Sequence, residues 1–227
     1  MPIPKKCILL FLRAPEEGHV KTRLAASLGD QTTLTLYRAF VEDILEMLSG
    51  TGYPVILYGH PADKISDITS WLEPDNPCRP QEGDTLGDKM ANAFSTAFSE
   101  GYEQVALLGS DIPDLPPRII HEAFDALEKE GAALGPSHDG GYYLIAFRAA
   151  SFLPQVFENI PWSTEAVLLR TLDVFQKCDR PVHLLPPWWD IDTIENLKAL
   201  SARHQASDGA APRTLTYLQK LKVHRVP

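Results

Sequence analysis

The chain has 227 residues, of which 44% are hydrophobic and 22% charged, a composition close to the globular average that excludes collagen, coiled coil and disorder. Its 30 acidic and 21 basic residues give a formal net charge of −9, so we expect no nucleic-acid partner, although a local basic loop can still bind a small anion. This length suits one α/β domain, and we expect residues 1–227 to form it, with 204–227 as a polar tail and a last helix.

The first half of the chain alternates apolar runs with helical patterns. Three continuous runs are typical of strands buried on both faces of a parallel sheet, and they lie at 7–12, 54–58 and 105–109. Apolar residues spaced three and four positions apart predict amphipathic helices between and after these runs, over 32–49, 85–101 and 116–130. This strand–helix alternation predicts a doubly wound α/β sheet.

The second half alternates less regularly. Its apolar runs predict strands at 132–134, 142–147 and 182–185. Its helical patterns predict helices over 164–177, 193–203 and 213–223.

The cysteines and the apolar runs bear on where the protein resides. Cys7, Cys78 and Cys178 form no CxxC pair, and an odd count argues against a disulfide framework. The run that begins at Cys7 is too short for a signal sequence or a membrane span, and no later run reaches the roughly 18 apolar residues that a span needs. We therefore expect a soluble, cytoplasmic protein with no membrane span.

The loop after the first strand, 13–23, is the first candidate for chemistry, because ligands of open α/β sheets bind beyond the carboxyl ends of the strands. It contains Gly18 and two cations, Lys21 and Arg23. A flexible loop with exposed N–H groups and cations can wrap a triphosphate. The alternative is an ordinary solvated basic loop, and the P-loop motif GxxxxGK[ST] is absent.

Asp111 directly follows the buried run at 105–109. A carboxylate at this place can hold Mg²⁺ bridging phosphates, because Mg²⁺ prefers one or two carboxylates together with water and phosphate oxygens. The alternative for an Asp before a helix is a capping role. Asp114, two residues before Pro116, suits that role better.

The segment 135–143 is rich in glycine. Gly140 and Gly141 allow a positive φ or a close approach of a ligand to the backbone. The Asp139–Gly140 pair is equally typical of a hairpin turn.

Two further segments carry candidate polar residues. Ser163 and Thr164 precede a predicted helix, where one of them caps the N-terminus and the helix end can receive an anionic acceptor. Asp190 and Asp192 follow the last strand, and they supply either a second metal carboxylate or a cap for the helix from 194. The histidines show no metal-ligand spacing, so no zinc site is predicted.

In this order, these segments resemble a family of uncharacterised bacterial transferases in the nucleotide-diphospho-sugar transferase superfamily, with the GT-A-type fold. The resemblance spans residues 5 to about 203. It is carried by R-x-P-x-x-G-x-V-K-T-R-L at 13–24, G-D-T-L-G-D-K-M at 83–90, G-S-D-I-P-D-L at 109–115, G-P-S-H-D-G-G-Y-Y-L at 135–144, W-S-T at 162–164 and D-I-D-T at 190–193. It implies a Rossmann-like, three-layer α/β/α fold with a mixed, mainly parallel sheet.

The resemblance also implies roles for individual residues. The nucleotide would be bound by Arg13, Pro15, Gly18, Lys21, Arg23, Gly87 and Asp111. The acceptor would be bound by Gly140, Gly141, Tyr142, Ser163 and Thr164. Mg²⁺ or Mn²⁺ would be held by Asp111 and Asp192, and the catalytic residues would be Lys21, Asp111 and Asp139.

Three functions follow as alternatives. The first is metal-dependent nucleotidyl transfer from an NTP to a small phosphorylated or anionic acceptor, which the basic first loop favours because a triphosphate carries more charge than a diphospho-sugar. The second is glycosyl transfer from a nucleotide-diphospho-sugar, with Asp139 as the base. The third is a non-catalytic nucleotide-binding module.

Overall fold

The strands form one mixed sheet in the computed structural model, which describes residues 5–72, 76–204 and 210–221. The strands are β1 (Lys6–Arg13), β2 (Val55–His60), β3 (Cys78–Pro80), β4 (Gln104–Leu108), β5 (Ala132–Pro136), β6 (Tyr142–Arg148) and β7 (His183–Leu184). Their order across the sheet is β3-β2-β1-β4-β6-β5-β7. Only β6 runs against its neighbours, so its first residues lie at the edge where β1, β2 and β4 end.

The helices of the described residues alternate with the strands. They are α1 (Thr22–Leu28), α2 (Asp30–Ser49), α3 (Ile65–Leu72), α4 (Leu86–Ser99), α5 (Pro117–Lys129), α6 (Val167–Lys177), α7 (Ile194–Arg203) and α8 (Pro212–Leu221). No helix in the described part of the chain has both the length and the apolar composition needed to cross a membrane.

Alternate side chains of β1 build the two halves of the core. Ile8, Leu10 and Leu12 pack with residues of α2, α3 and α5. Cys7, Leu9 and Phe11 pack with residues of α4 and α6 on the other face. This is the pattern of a strand buried on both faces, and it gives the predicted three-layer α/β/α arrangement.

A third apolar cluster joins the end of the chain to its beginning. Leu197 of α7 and Leu218 of α8 pack against Leu24 of α1 and Phe40 of α2. The last helix, predicted at 213–223, is α8 and packs against the first two helices, and residues 222–223 lie outside the described residues. Of the predicted polar tail at 204–212, residues 205–209 lie outside the described residues.

Three elements were not predicted from the sequence: α1, α3 and β3. α1 and α3 have only seven and eight residues, and β3 has three, so none of them shows a full apolar repeat. Several predicted boundaries also move, by up to three residues in the described part of the chain. The strand predicted at 54–58 is Val55–His60, and the helix predicted from 164 begins at Val167.

Candidate active site

The end of β1 is fixed to α2 by the hydroxyl of Tyr37. The backbone N–H of Arg13 donates to this oxygen at 2.7 Å, and the hydroxyl donates to the carbonyl of Arg13 at 3.0 Å. Burial raises the pKa of Tyr37 to about 12, so the hydroxyl keeps its proton. The chain therefore leaves the sheet at a defined point.

The first loop is shorter than predicted, because α1 begins at Thr22. Arg23 lies on this helix and is exposed, which corrects its placement on a flexible loop. Lys21 is the last loop residue and has a left-handed backbone, with φ of 49°. Val20 and Leu24 are buried on either side of it, so the core holds Lys21 in place.

The ammonium of Lys21 lies between Asp111 and Asp192. Its Nζ atom is 2.7 Å from Oδ1 of Asp111 and 2.7 Å from Oδ1 of Asp192, and only 5% of the lysine side chain is exposed. The backbone N–H of Ile191 donates to the carbonyl of Asp111 at 2.8 Å. The predicted pair of carboxylates does meet at the carboxyl edge of the sheet, and the cation between them is a lysine.

The charges of this cluster act on one another. Burial alone lowers the pKa of Lys21, but the charges of Asp111 and Asp192 outweigh it, and the pKa is raised. Lys21 therefore stays protonated at neutral pH. Burial, together with the negative charges of Asp111 and Asp139, raises the pKa of Asp190 to about 7. The aspartates at this edge thus carry more negative charge than Lys21 offsets.

Asp139 lies in the turn that enters β6. Its Oδ1 atom accepts a short hydrogen bond from the hydroxyl of Ser137 and a second one, at 2.9 Å, from the N–H of Gly141. This is the geometry of an Asx turn, in which the carboxylate organises its own loop.

Gly140 has the predicted positive φ, at 89°, whereas Gly141 does not. A Cβ atom on Gly140 would overlap the backbone of Glu165, and the carbonyl of Gly140 accepts a hydrogen bond from the N–H of Leu168 at 2.9 Å. Gly140 therefore allows this turn to pack closely against the start of α6, which is a contact within the protein.

The predicted roles of Tyr142 and of the segment at 162–164 need correction. The hydroxyl of Tyr142 is buried, which contradicts a contact between that group and an acceptor. Ser163 has φ of 65°, and Thr164 donates to the carbonyl of Pro161 at 2.7 Å. Since α6 has Ala166 at its N-cap, neither Ser163 nor Thr164 caps it.

Gly87 lies in the first turn of α4. A Cβ atom there would overlap the carbonyl oxygen of Phe157 and approach the indole nitrogen of Trp162. The glycine thus lets α4 pack closely on the 157–162 segment. In this structure Gly87 meets protein neighbours, and its predicted contact with a nucleotide stays a prediction.

Asp114 does not cap α5, whose N-cap is Pro116. Its side chain is fully buried and accepts hydrogen bonds from Trp188 Nε1 at 3.0 Å and Arg203 at 3.1 Å, with His204 Nε2 at 2.9 Å. It therefore fastens the loop after β4 to the loop that carries Asp190 and Asp192. Because these partners are 74 to 90 residues away, no local pattern could have revealed this role.

A family model described as "Uncharacterized protein conserved in bacteria (DUF2064)" matches residues 44–164, more than half of the chain. The chain belongs to this family. A protein of Desulfovibrio desulfuricans G20, provisionally assigned as a nucleotide-diphospho-sugar transferase, has a solved structure with 36% sequence identity, coverage of 99% of both chains and a TM-score of 0.94. The predicted resemblance and fold are thereby confirmed.

Two more distant proteins are also similar to this DUF2064 member. The 2-phospho-L-lactate guanylyltransferase of Natrialba magadii is 25% identical over 217 residues, which cover 88% of this chain and 87% of the relative. A Mycobacterium tuberculosis H37Rv protein, solved in complex with manganese, is 14% identical with a TM-score of 0.53 over 87% of this chain and 98% of its own. At that identity the second protein shows the fold alone.

The carboxylates of this DUF2064 protein fit a divalent cation of the Mg²⁺ type. Asp111 and Asp192 aim one oxygen each at a common point, and Mg²⁺ commonly takes one or two protein carboxylates and fills its other positions with water and phosphate. Within residues 5–72, 76–204 and 210–221, no three His, Cys, Asp or Glu side chains converge on one metal position. The remaining ligands would therefore have to come from water or substrate.

Three polar residues at the same edge were missed by the sequence analysis. Gln81 donates from Nε2 to the carbonyls of Leu12 at 3.3 Å and Tyr58 at 2.9 Å, which ties β3 to β1 and β2. His60, the last residue of β2, has its Nδ1 atom 3.4 Å from Nζ of Lys89 on α4. Lys89 lies within the G-D-K-M match, and that position was its only signal in the sequence.

Proposed function

We propose that this protein is a metal-dependent nucleotidyltransferase, which moves a nucleotidyl group from an NTP to a small phosphorylated or anionic acceptor. The observation that carries the proposal is the convergence of Lys21, Asp111 and Asp192 on one point at the carboxyl edge of the sheet. That edge is where open α/β sheets bind their ligands. The guanylyltransferase of Natrialba magadii supports the reaction class.

In the proposed reaction, an oxygen of the acceptor forms a bond to the α-phosphorus of the NTP. The bond from that phosphorus to the oxygen bridging the α- and β-phosphates breaks, and pyrophosphate leaves with that oxygen. Lys21 would provide a positive charge beside the phosphates, and it holds the two carboxylates together when no metal lies between them. A divalent metal, when held by Asp111 and Asp192, would supply further positive charge next to the phosphates. Positioning and electrostatics thus carry the rate.

The two halves of the edge have different proposed roles. Arg13, Pro15, Gly18 and Arg23, on or beside the first loop, would contact the nucleotide. Gly141, Ser163 and Thr164, on the side of β6, would face the acceptor. Gly87 and Gly140 would support these surfaces through their packing within the protein.

Glycosyl transfer is the second candidate, and the provisional assignment of the Desulfovibrio desulfuricans protein favours it. It would need Asp139 as the base that takes a proton from the acceptor. One carboxylate oxygen of Asp139 is already engaged by the Ser137 hydroxyl and the Gly141 N–H, where it organises its own turn. This arrangement favours nucleotidyl transfer.

Nucleotidyl transfer and glycosyl transfer can be distinguished by the product that is released, which is pyrophosphate in the first and a nucleoside diphosphate in the second. We would first screen NTPs and nucleotide-diphospho-sugars with Mg²⁺ or Mn²⁺ by thermal shift, because a ligand at a hundred times its Kd stabilises a protein by about 2.7 kcal/mol. The binding nucleotides would then be incubated with an acceptor panel and followed by ³¹P NMR. Pyrophosphate release that is lost in Asp111→Asn supports the proposal, release of a nucleoside diphosphate supports glycosyl transfer, and binding without turnover supports a non-catalytic module.

A further inference from the structure

A second group of basic side chains lies at the same edge of the sheet, away from Lys21. Arg13 and His60 are the last residues of the adjacent parallel strands β1 and β2 and are partners in their register. Partners in a parallel pair project to the same face of the sheet. Lys89, from the first turns of α4, brings its ammonium to 3.4 Å from Nδ1 of His60. Three separate elements thus deliver basic side chains to one place.

This group is not neutralised as Lys21 is. Across the described parts of the chain, no carboxylate oxygen lies within 4 Å of a side-chain nitrogen of Arg13, His60 or Lys89. The guanidinium of Arg13 donates a hydrogen bond to the carbonyl of His19, at 3.3 Å. Burial lowers the pKa of His60, and the charges of Lys89 and Arg13 lower it further, while Asp63 acts weakly in the opposite direction. The positive charges therefore reach the imidazole largely uncompensated.

We propose that Arg13, His60 and Lys89 form an anion-binding site that takes a phosphate group of the triphosphate substrate. The like charges of Arg13 and Lys89 act on the same imidazole, and holding them near one another costs free energy. A phosphate group between them would offset that cost, because it accepts charge-assisted hydrogen bonds from both cations. Lys21, which already has two carboxylate partners, is a poorer first contact for an incoming anion. The identification of the phosphate as part of a triphosphate rests on the proposed function, whereas the anion site itself does not.

The proposal has a signature that a purely structural role would not produce. In the free protein the neighbouring cations favour the neutral form of His60. A phosphate beside the ring raises the pKa of the imidazole, so the protein takes up a proton as the anion binds. Calorimetric titrations in buffers with different ionisation enthalpies measure that uptake directly.

The test uses inorganic tripolyphosphate as the probe, with an NTP and a simple phosphate monoester in parallel, without added metal. Lys89→Gln is expected to weaken tripolyphosphate and NTP binding by about tenfold, because one charge-assisted contact is lost. His60→Gln is expected to abolish the proton uptake at pH 7 to 8. The matched control is Lys64→Gln, since Lys64 also follows β2 but already lies 3.7 to 3.9 Å from Asp67 and Glu16.

The outcomes are distinct. Tripolyphosphate affinity that is unchanged in Lys89→Gln, or lowered equally in Lys64→Gln, overturns the site. Binding of the monoester alone through Lys89 overturns the assignment to a triphosphate. Weaker tripolyphosphate binding in Lys89→Gln, with an unchanged melting temperature, supports the anion site. This result does not depend on finding an acceptor, so the anion site can be correct even if the proposed function is wrong.

Discussion

Lys21 is the residue on which the candidate site depends most directly. Its ammonium separates two carboxylates that would otherwise repel each other, and its side chain is almost fully buried. Removing one partner of a buried ion pair is costly because the other charge stays behind. Here the remaining carboxylates are 34% and 43% exposed, so water screens part of that cost.

Lys21→Met is therefore expected to lower the free energy of unfolding by roughly 1–3 kcal/mol. Urea unfolding in the presence of EDTA measures this loss. Lys64→Met, at an exposed ion pair, is the control and is expected to change stability by less than about 1 kcal/mol. Mn²⁺ should restore part of the stability lost in Lys21→Met. If Lys21→Met were as stable as the parent in EDTA, the two aspartates would not need a cation between them.

The raised pKa of Asp190 predicts a pH-dependent stability. This pKa is about 7 in the folded protein and close to 4 in the unfolded chain. Between these values the folded state binds more protons, so the Asp190 carboxyl destabilises the fold increasingly as pH rises from about 4 to about 7. Above pH 7 the whole penalty is present.

Asp190→Asn removes that penalty. In EDTA, the variant is expected to be more stable than the parent at pH 8, by about 1–3 kcal/mol, and to approach it near pH 4. Asp67→Asn, at an exposed position, is the control and should show no such trend. A stability difference for Asp190→Asn that is the same at pH 4 and pH 8 would contradict the assignment of the raised pKa to this carboxyl.

At the scale of elements, the turn before β6 depends on one glycine. Gly140 combines a positive φ with close packing on Glu165. Gly140→Val is expected to lower the melting temperature by several degrees, because a β-branched residue disfavours that φ and its Cβ has no room. Gly141→Ala is the matched control, since it has an ordinary φ and looser neighbours, and an equal loss in both variants would remove the argument.

The helix α8 is capped by a side chain from another helix. The buried carboxylate of Asp43, on α2, accepts hydrogen bonds from the backbone N–H groups of Arg213 at 3.0 Å and Thr214 at 2.8 Å. These are first-turn donors that have no partner within the helix.

Asp43→Ala is expected to cost about 1–2 kcal/mol or more. It should also speed hydrogen exchange in α8 before it does so in the central strands. Glu46→Ala, which removes a more exposed carboxylate near Arg213, is the control. If exchange in α8 stayed at the parent's rate in Asp43→Ala, the helix would have to be held by its apolar contacts alone.

At the scale of the molecule, the spacing of apolar residues predicted most of the strands and helices. Long buried strands such as β1 and β4, and the helices α2, α4 and α5, follow from their apolar spacing. The rule that strand ends share an edge placed Asp111 at the site, and the family resemblance added Asp192 as its partner. The ion pairs that Lys21 makes with both aspartates were not predicted, because no local pattern links residues so far apart. Lys21 and Asp192 are separated by 171 residues.

The same limit applies to the charges of the whole edge. Basic residues gather at the ends of β1 and β2, and aspartates gather where β4 ends and β6 begins. His60 and Lys89 are 29 residues apart, and nothing local to either one marks it as part of a cluster. Only the order of the strands shows that the edge is positive on one half and negative on the other.

The position of Lys21 also bears on the order in which ligands arrive. A bare divalent ion held by Asp111 and Asp192 would have to take the place of the ammonium, which would then lack a counter-ion. If the metal were instead bound to a polyphosphate, the phosphate oxygens would offer Lys21 new anionic partners. We therefore expect kinetics in which the metal–nucleotide complex is the true substrate, and in which an excess of free metal neither saturates the empty protein nor commits it to turnover.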